Sequence, residues 1–393
     1  MNRSRSSQNG ISGVPKARVG VLGLITIAVY GSWFYSFGVL LDPIIVDTGW
    51  SEAAVAAAFS ASSVVAGLGA LVGGWLLDRL GSRLVFGVAA VVGGGGLLVD
   101  AAAGTPVTFA VAGAIGGGAL GSLAFYHVTQ TAAVRISPGS EDRAIAVLTI
   151  WGALASPIFI PLTAWLVTSL DWRATLRILG LSTAVALTLG MLSIDTRRAD
   201  GARPRVFRDV GRSLQSGQAR RLVVSQGLAG LGVGTILVYQ VPAMTAAGLT
   251  LGAASFWAGF RGFAQLGGRL PLMPLVQRLG VAATLRIAYL AIAVGSVALA
   301  FSGNQVMAGV YAVCAGFGIG AVSPLIGMMS KNVFGTASLG TAMGFVGLVF
   351  LVCNSIGPLG AALVAESTGS RAIPVAVSGL IVACAAFVVR PQD

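Results

Sequence analysis

Polar residues in this chain sit in short gaps between long apolar runs. The runs cover roughly residues 19–45, 53–77, 84–103, 106–133, 144–168, 174–194, 221–245, 252–276, 281–301, 304–330, 336–364 and 371–389. A helix rises 1.5 Å per residue, so about 20 apolar residues cross the roughly 30 Å of bilayer hydrocarbon. The pattern therefore predicts twelve membrane-spanning helices. The gaps carry Asp, Arg, Ser, Pro and Gly, as helix ends do. The first run is longer than the core of a signal peptide, about 7–15 residues, and reads as a retained span.

One gap is different. Residues 195–220 are long, polar and rich in Arg, and they divide the runs into two blocks of six. The predicted organisation is a disordered N-terminal tail (1–18), a six-helix bundle (19–194), a central loop (195–220), a second bundle (221–390) and a short tail (391–393). Within the loop, Val206–Leu214 reads either as a short surface helix or as solvated linker. The fold class expected is an all-α membrane protein of twelve transmembrane helices in two pseudo-symmetric six-helix bundles.

Composition agrees. The 393 residues are 55% hydrophobic and 10% charged, with a mean hydropathy of +0.87; soluble domains carry about 25% charged residues. A net charge of +12 suggests a nucleic-acid binder until the positions are mapped. With the N-terminus placed in the cytoplasm, 21 of the 25 Lys and Arg fall in cytoplasmic segments. Three, Arg173, Arg177 and Arg371, fall outside, and Arg261 lies within a span. That asymmetry follows the positive-inside rule and places both termini and the central loop in the cytoplasm of a multi-pass cell (inner) membrane protein, with lipid and not nucleic acid as its surroundings. Cys314, Cys353 and Cys384 lie in apolar runs without metal or redox spacing. No nucleophile–His–acid set, metal cluster or phosphate loop stands out, so neither an enzyme nor a cofactor is expected.

The two blocks look related. Val64–Leu76 (VVAGLGALVGGWL) and Ala258–Leu270 (AGFRGFAQLGGRL) both carry a Gly-Gly pair and are followed by Arg-Leu-Gly, at 79–81 and 278–280. Parallel repeats of this kind form transporters with a substrate site near their pseudo-symmetry axis. The segment Gly74-Trp-Leu-Leu-Asp78-Arg79-Leu-Gly81-Ser-Arg83 resembles the loop signature of the major facilitator superfamily. The resemblance implies two bundles around a central cavity that opens alternately to each side. It also implies a gating role for Gly74, Asp78, Arg79, Gly81 and Arg83, with Asp78 and Arg79 joining helix ends and Gly74 permitting close packing. The second copy lacks the Asp.

The stretch Tyr35 to Pro43 followed by Gly49-Trp50-Ser51 resembles the monocarboxylate and oxalate/formate transporter branch. In that branch an Arg on the eighth helix binds substrate, which carries over to Arg261. That residue lies eight positions before Arg269, roughly 12 Å inside the helix end. An ionised group there costs at least about 2.5–3.5 kcal/mol, so it needs a wet cavity or a partner. Its paired donors match a carboxylate. The chain departs from the branch in having Trp257 where the monocarboxylate pattern has Asp, and Cys353 and Asn354 where the oxalate type has Lys. One embedded cation suits a singly charged anion. A structural Arg bonded to carbonyls is the other reading.

Tyr30, Trp33 and Tyr35 on the first helix, Tyr239 and Gln240 on the seventh, and Asn354 are further candidates for contacting substrate. The sole histidine, His127, and Asp42 are candidates for proton coupling. Asp100, also near a helix end, is a proton site or an interfacial carboxylate. Gly113, Gly117 and Gly121 form a small-residue ridge for close helix packing. The expectation is a secondary transporter, monomeric, for a small organic anion such as a monocarboxylate. Efflux of lipophilic or cationic compounds is a second reading, and a non-transporting membrane receptor a third.

Overall fold

A computed structural model describes residues 15–196, 216–334 and 339–389. The proposed surface helix at 206–214, the tail at 391–393 and most of the tail at 1–18 lie outside them. We number the twelve spans in order. The first half holds α1 (Lys16–Thr48), α2 (Glu52–Leu80), α3 (Ser82–Asp100), α4 (Pro106–Ile136), α5 (Glu141–Ala153 continuing as Ala155–Ser169) and α6 (Trp172–Ser193). The second holds α7 (Gly217–Ala246), α8 (Leu251–Arg269), α9 (Val281–Ala300), α10 (Gln305–Phe334), α11 (Leu339–Thr368) and α12 (Ala372–Val388). Ten of these are long and apolar enough to cross a membrane on length and composition. The other two are α8, which carries Arg261, and the 17-residue α12. The first helix begins at Lys16, earlier than the apolar run suggested.

Local chemistry sets the boundaries. Gly49 closes α1 with φ +69°, a conformation that costs a glycine nothing. Ser51 then caps α2 by accepting from the Ala54 N–H, and Thr105 and Thr108 form a reciprocal capping box on either side of Pro106. Asp171, Ser216 and Thr250 cap α6, α7 and α8 in the same way. The two Arg-Leu-Gly copies become one structural feature. Gly81 (φ 79°, ψ 169°) and Gly280 (φ 81°, ψ 163°) break the chain identically between the second and third helices of each half.

Several spans are irregular: α3 has a π-helical stretch at Ala89–Gly94, α5 breaks at Leu154, and two more interruptions lie beside polar side chains. Tyr30–Tyr35 within α1 is a π-helical turn, which re-aims the side chains that follow; such turns recur at functional sites. α4 breaks at Phe125, which is extended. In an unbroken helix the carbonyl of Ser122 would accept from residue 126; here the His127 ring nitrogen lies 2.8 Å from it. In hydrocarbon a freed carbonyl must find such a partner.

The halves meet along three helix pairs: α2 with α11, α5 with α8, and α1 with α7. Glycine lets these seams close. A Cβ on Gly38 of α1 would run into the Val238 carbonyl of α7, and one on Gly262 of α8 would strike Ser156 and Pro157 of α5. Inside the first half, the ridge of Gly113 and Gly117 receives the Trp33 indole, and Gly121 faces Ala66.

Candidate functional site

The polar centre of the molecule forms around Arg261, which has no solvent exposure. Gly316 and Gly320 of α10 lie against the backbone of α8 at Arg261 and Gln265, where any Cβ would collide, so α8 and α10 pack unusually close. That approach brings Tyr311 to the same place. The Arg261 Nε donates to Oε1 of Gln240 on α7 at 3.0 Å, and the Tyr311 hydroxyl donates to the same oxygen at 2.8 Å. The Gln240 amide nitrogen is used on the Leu237 carbonyl, 2.9 Å away. From the other half, the Tyr35 ring at the end of the π turn lies with its centroid 5.9 Å from the guanidinium carbon, within cation–π range.

Both Nη atoms of Arg261 are buried without a hydrogen-bond partner. A guanidinium carries five N–H donors, and one is satisfied here. Donors of a charged group left buried and unpaired are costly, and the free edge of the fork has the spacing of a carboxylate. The arrangement is a cation pinned by one edge, with its other edge unpaired and enclosed by the protein.

The remaining sequence candidates are not gathered at this centre. Trp33 donates to Ser62 at 2.7 Å and, with Asn354, lines a separate small cavity between α1, α2, α4 and α11. Its volume of about 20 Å³ holds a water but no organic substrate. Tyr30 stacks on Phe125 at 4.1 Å and lies 6.4 Å from Tyr35. Asp100 is fully buried, with neither carboxylate oxygen hydrogen-bonded.

Tyr239 and Asp42 belong to a second cluster, at the end of the bundle that carries the 48–51 turn. There Arg371, from the second half, reaches two carboxylates of the first. Its Nη2 lies 2.5 Å from Asp42 and 2.9 Å from Glu52. The Tyr239 hydroxyl donates to the other Glu52 oxygen at 2.6 Å, and the Ala53 N–H donates to Glu366 at 2.8 Å. Burial works against the charge on Arg371, but bonding to Asp42 and Glu52 outweighs it and raises its hold on the proton above the ordinary value. The hydrogen bonds and ion pairs joining the halves cluster here. Sequence reasoning missed Glu52 and Tyr311 and counted Arg371 only as a stray positive charge. Glu52 was visible as the residue after Gly49-Trp50-Ser51; Tyr311 had no signal beyond lying in an apolar run.

At the opposite end, the 74–83 loop is tied within its own half. Asp78 pairs with Arg135 at the end of α4, and the Arg79 guanidinium stacks 4.9 Å from the Trp75 ring. Arg83 faces Asp195 at 3.6 Å, both well exposed, and Ser82 bonds to Ile194 and Thr196. The tight approach lies at Gly73, against the Ser122 carbonyl, whereas nothing lies within 4 Å of a Cβ on Gly74.

No curated protein matches the chain in sequence. Solved structures match its fold closely. A point-mutant form of the nucleoside transporter NupG superposes with a TM-score of 0.80 over 95% of this chain and 97% of that one, at 16% identity. A POT family transporter in complex with 5-aminolevulinic acid gives 0.74 over 97% of each chain, at 12% identity. A bacterial homolog of the human lysosomal transporter Spinster, inward-facing and unoccupied, gives 0.69 over 98% of this chain and 95% of that one, at 13% identity. Residues 22–226, just over half of the sequence, match the family described as Major Facilitator Superfamily. Twelve helices in two related halves, a buried cation at their centre and that match together establish that the chain belongs to the Major Facilitator Superfamily, as a membrane transporter and not an enzyme.

Proposed function

We propose that this transporter carries a small organic anion with a single charge, such as a monocarboxylate, by alternating access. Support comes from one observation above all: the paired Nη groups of Arg261, buried and without partners between the two halves. Arg261 is the single charged group at that centre among the described residues, which favours a monoanion over a dianion. This is the substrate class of the monocarboxylate branch that the first helix resembles. Efflux of cations would call for an acid at the centre, where Arg261 stands instead.

In this reading the protein sits in the cell membrane with both termini cytoplasmic, and the Arg371 cluster is an outer gate held shut. Asp42 is committed to Arg371 and His127 to a backbone carbonyl. Asp100 then remains as an acid without a counter-charge for a coupling proton. Uptake of labelled acetate, lactate and pyruvate into proteoliposomes tests the substrate class. Arg261→Ala should abolish uptake that the wild type supports; equal uptake by the two would remove Arg261 from the site.

A further inference from the structure

We infer that Gln240 and Tyr311 are positioning residues that fix the way Arg261 presents itself, so that a carboxylate is taken end-on by the two Nη groups. The inference rests on the anion reading above and assigns roles within that site. A guanidinium offers a carboxylate two bidentate edges, one formed by Nε with an Nη and one by the two Nη groups. Gln240 Oε1 occupies Nε at 3.0 Å, which closes the first edge. The Tyr311 hydroxyl at 2.8 Å holds that oxygen from the far side, and the Leu237 carbonyl holds the amide nitrogen at 2.9 Å.

The Gln240 head group therefore has an assigned orientation and little capacity left for a ligand. Its neighbour Tyr239 points to Glu52 in the other cluster, so the two adjacent residues serve different sites. Tyr311 and Gln240 are buried with Arg261, at 0% and 1% exposure. Without Gln240, the Nε–H would become another unpaired donor and the guanidinium would be free to turn its side edge to the ligand.

Pyruvate uptake by the full-length protein in proteoliposomes tests this, with ligand-free melting temperatures as the control for folding. Gln240→Met should raise KM about 10–100-fold, the worth of a charge-assisted hydrogen bond, with Vmax changed far less. Tyr311→Phe should raise KM by a smaller factor. Gln240→Glu is the discriminating variant. It keeps an acceptor for both Nε and the Tyr311 hydroxyl but gives up the donor to the Leu237 carbonyl and sets a counter-charge against the guanidinium, so anion uptake should fall even where the side chain stays in place. Loss of pyruvate uptake in Gln240→Glu at an unchanged melting temperature is the expected result. Near-wild-type KM in Gln240→Met or Gln240→Glu, with Arg261→Ala inactive, overturns the inference alone. Wild-type activity in Arg261→Ala, or no uptake by the wild type, overturns the anion reading and the inference with it.

Discussion

Arg371→Gln should release the gate that joins the two halves. Arg371 makes one contact to Asp42 at 2.5 Å and two to Glu52 at 2.9 and 3.1 Å. The side chains are 18% exposed for Arg371, 13% for Glu52 and 36% for Asp42, so the Glu52 pair is the better shielded. Breaking a fully buried pair costs 3–5 kcal/mol and an exposed one about 0–1, so about 2–3 kcal/mol is reasonable for this partly shielded cluster. Because the contact exists only while the halves are together at this end, the cost falls on the closed state. The open-to-closed ratio should rise about 30–150-fold. Spin labels at Val46→Cys and Ala247→Cys, exposed positions on opposite halves at that end, report the separation in a background without the native cysteines. A wider and newly populated distance in Arg371→Gln is expected. An unchanged distance distribution would show that the cluster does not hold this end shut.

Gly38→Val should act in the same direction by another route. A Cβ there meets the Val238 backbone carbonyl, which cannot swing away, so overpacking of about 1–3 kcal/mol should also favour separation of the halves in the same distance measurement. Asp78→Asn removes the pair with Arg135 inside one half. Because Asp78 is 51% exposed, the melting point in detergent should reflect a loss of at most about 1 kcal/mol, with any larger effect appearing in transport rate instead. Glu141, at the start of α5, accepts from the Gly139 N–H at 2.8 Å, which holds its carboxyl below the ordinary range. A lowered pKa in the folded state means its contribution is present above the ordinary carboxylate range and lost as pH falls through the lowered value. Glu141→Gln should flatten that part of the acid limb of a melting-point-against-pH profile.

Much of this protein was determined by the sequence alone, because the bilayer is a demanding solvent. It sets the length of each span, leaves no place for an unpaired backbone group and makes any embedded charge conspicuous. The helix count, the division at 195–220 and the singularity of Arg261 follow from that, as does the repeat now visible in the matching geometry of Gly81 and Gly280. Tertiary structure decided the partnerships. Glu52 and Arg371 are separated by 319 positions and become neighbours only when the two halves close. Tyr239 and Gln240 are adjacent in sequence but, on a helix, point about 100° apart, so one serves the gate and the other holds Arg261. Tyr311 has the composition of any apolar span and gains its role only because glycines on α10 admit it to α8. A periodic pattern records which solvent each residue faces; which residue meets it from another helix depends on packing across the whole bundle.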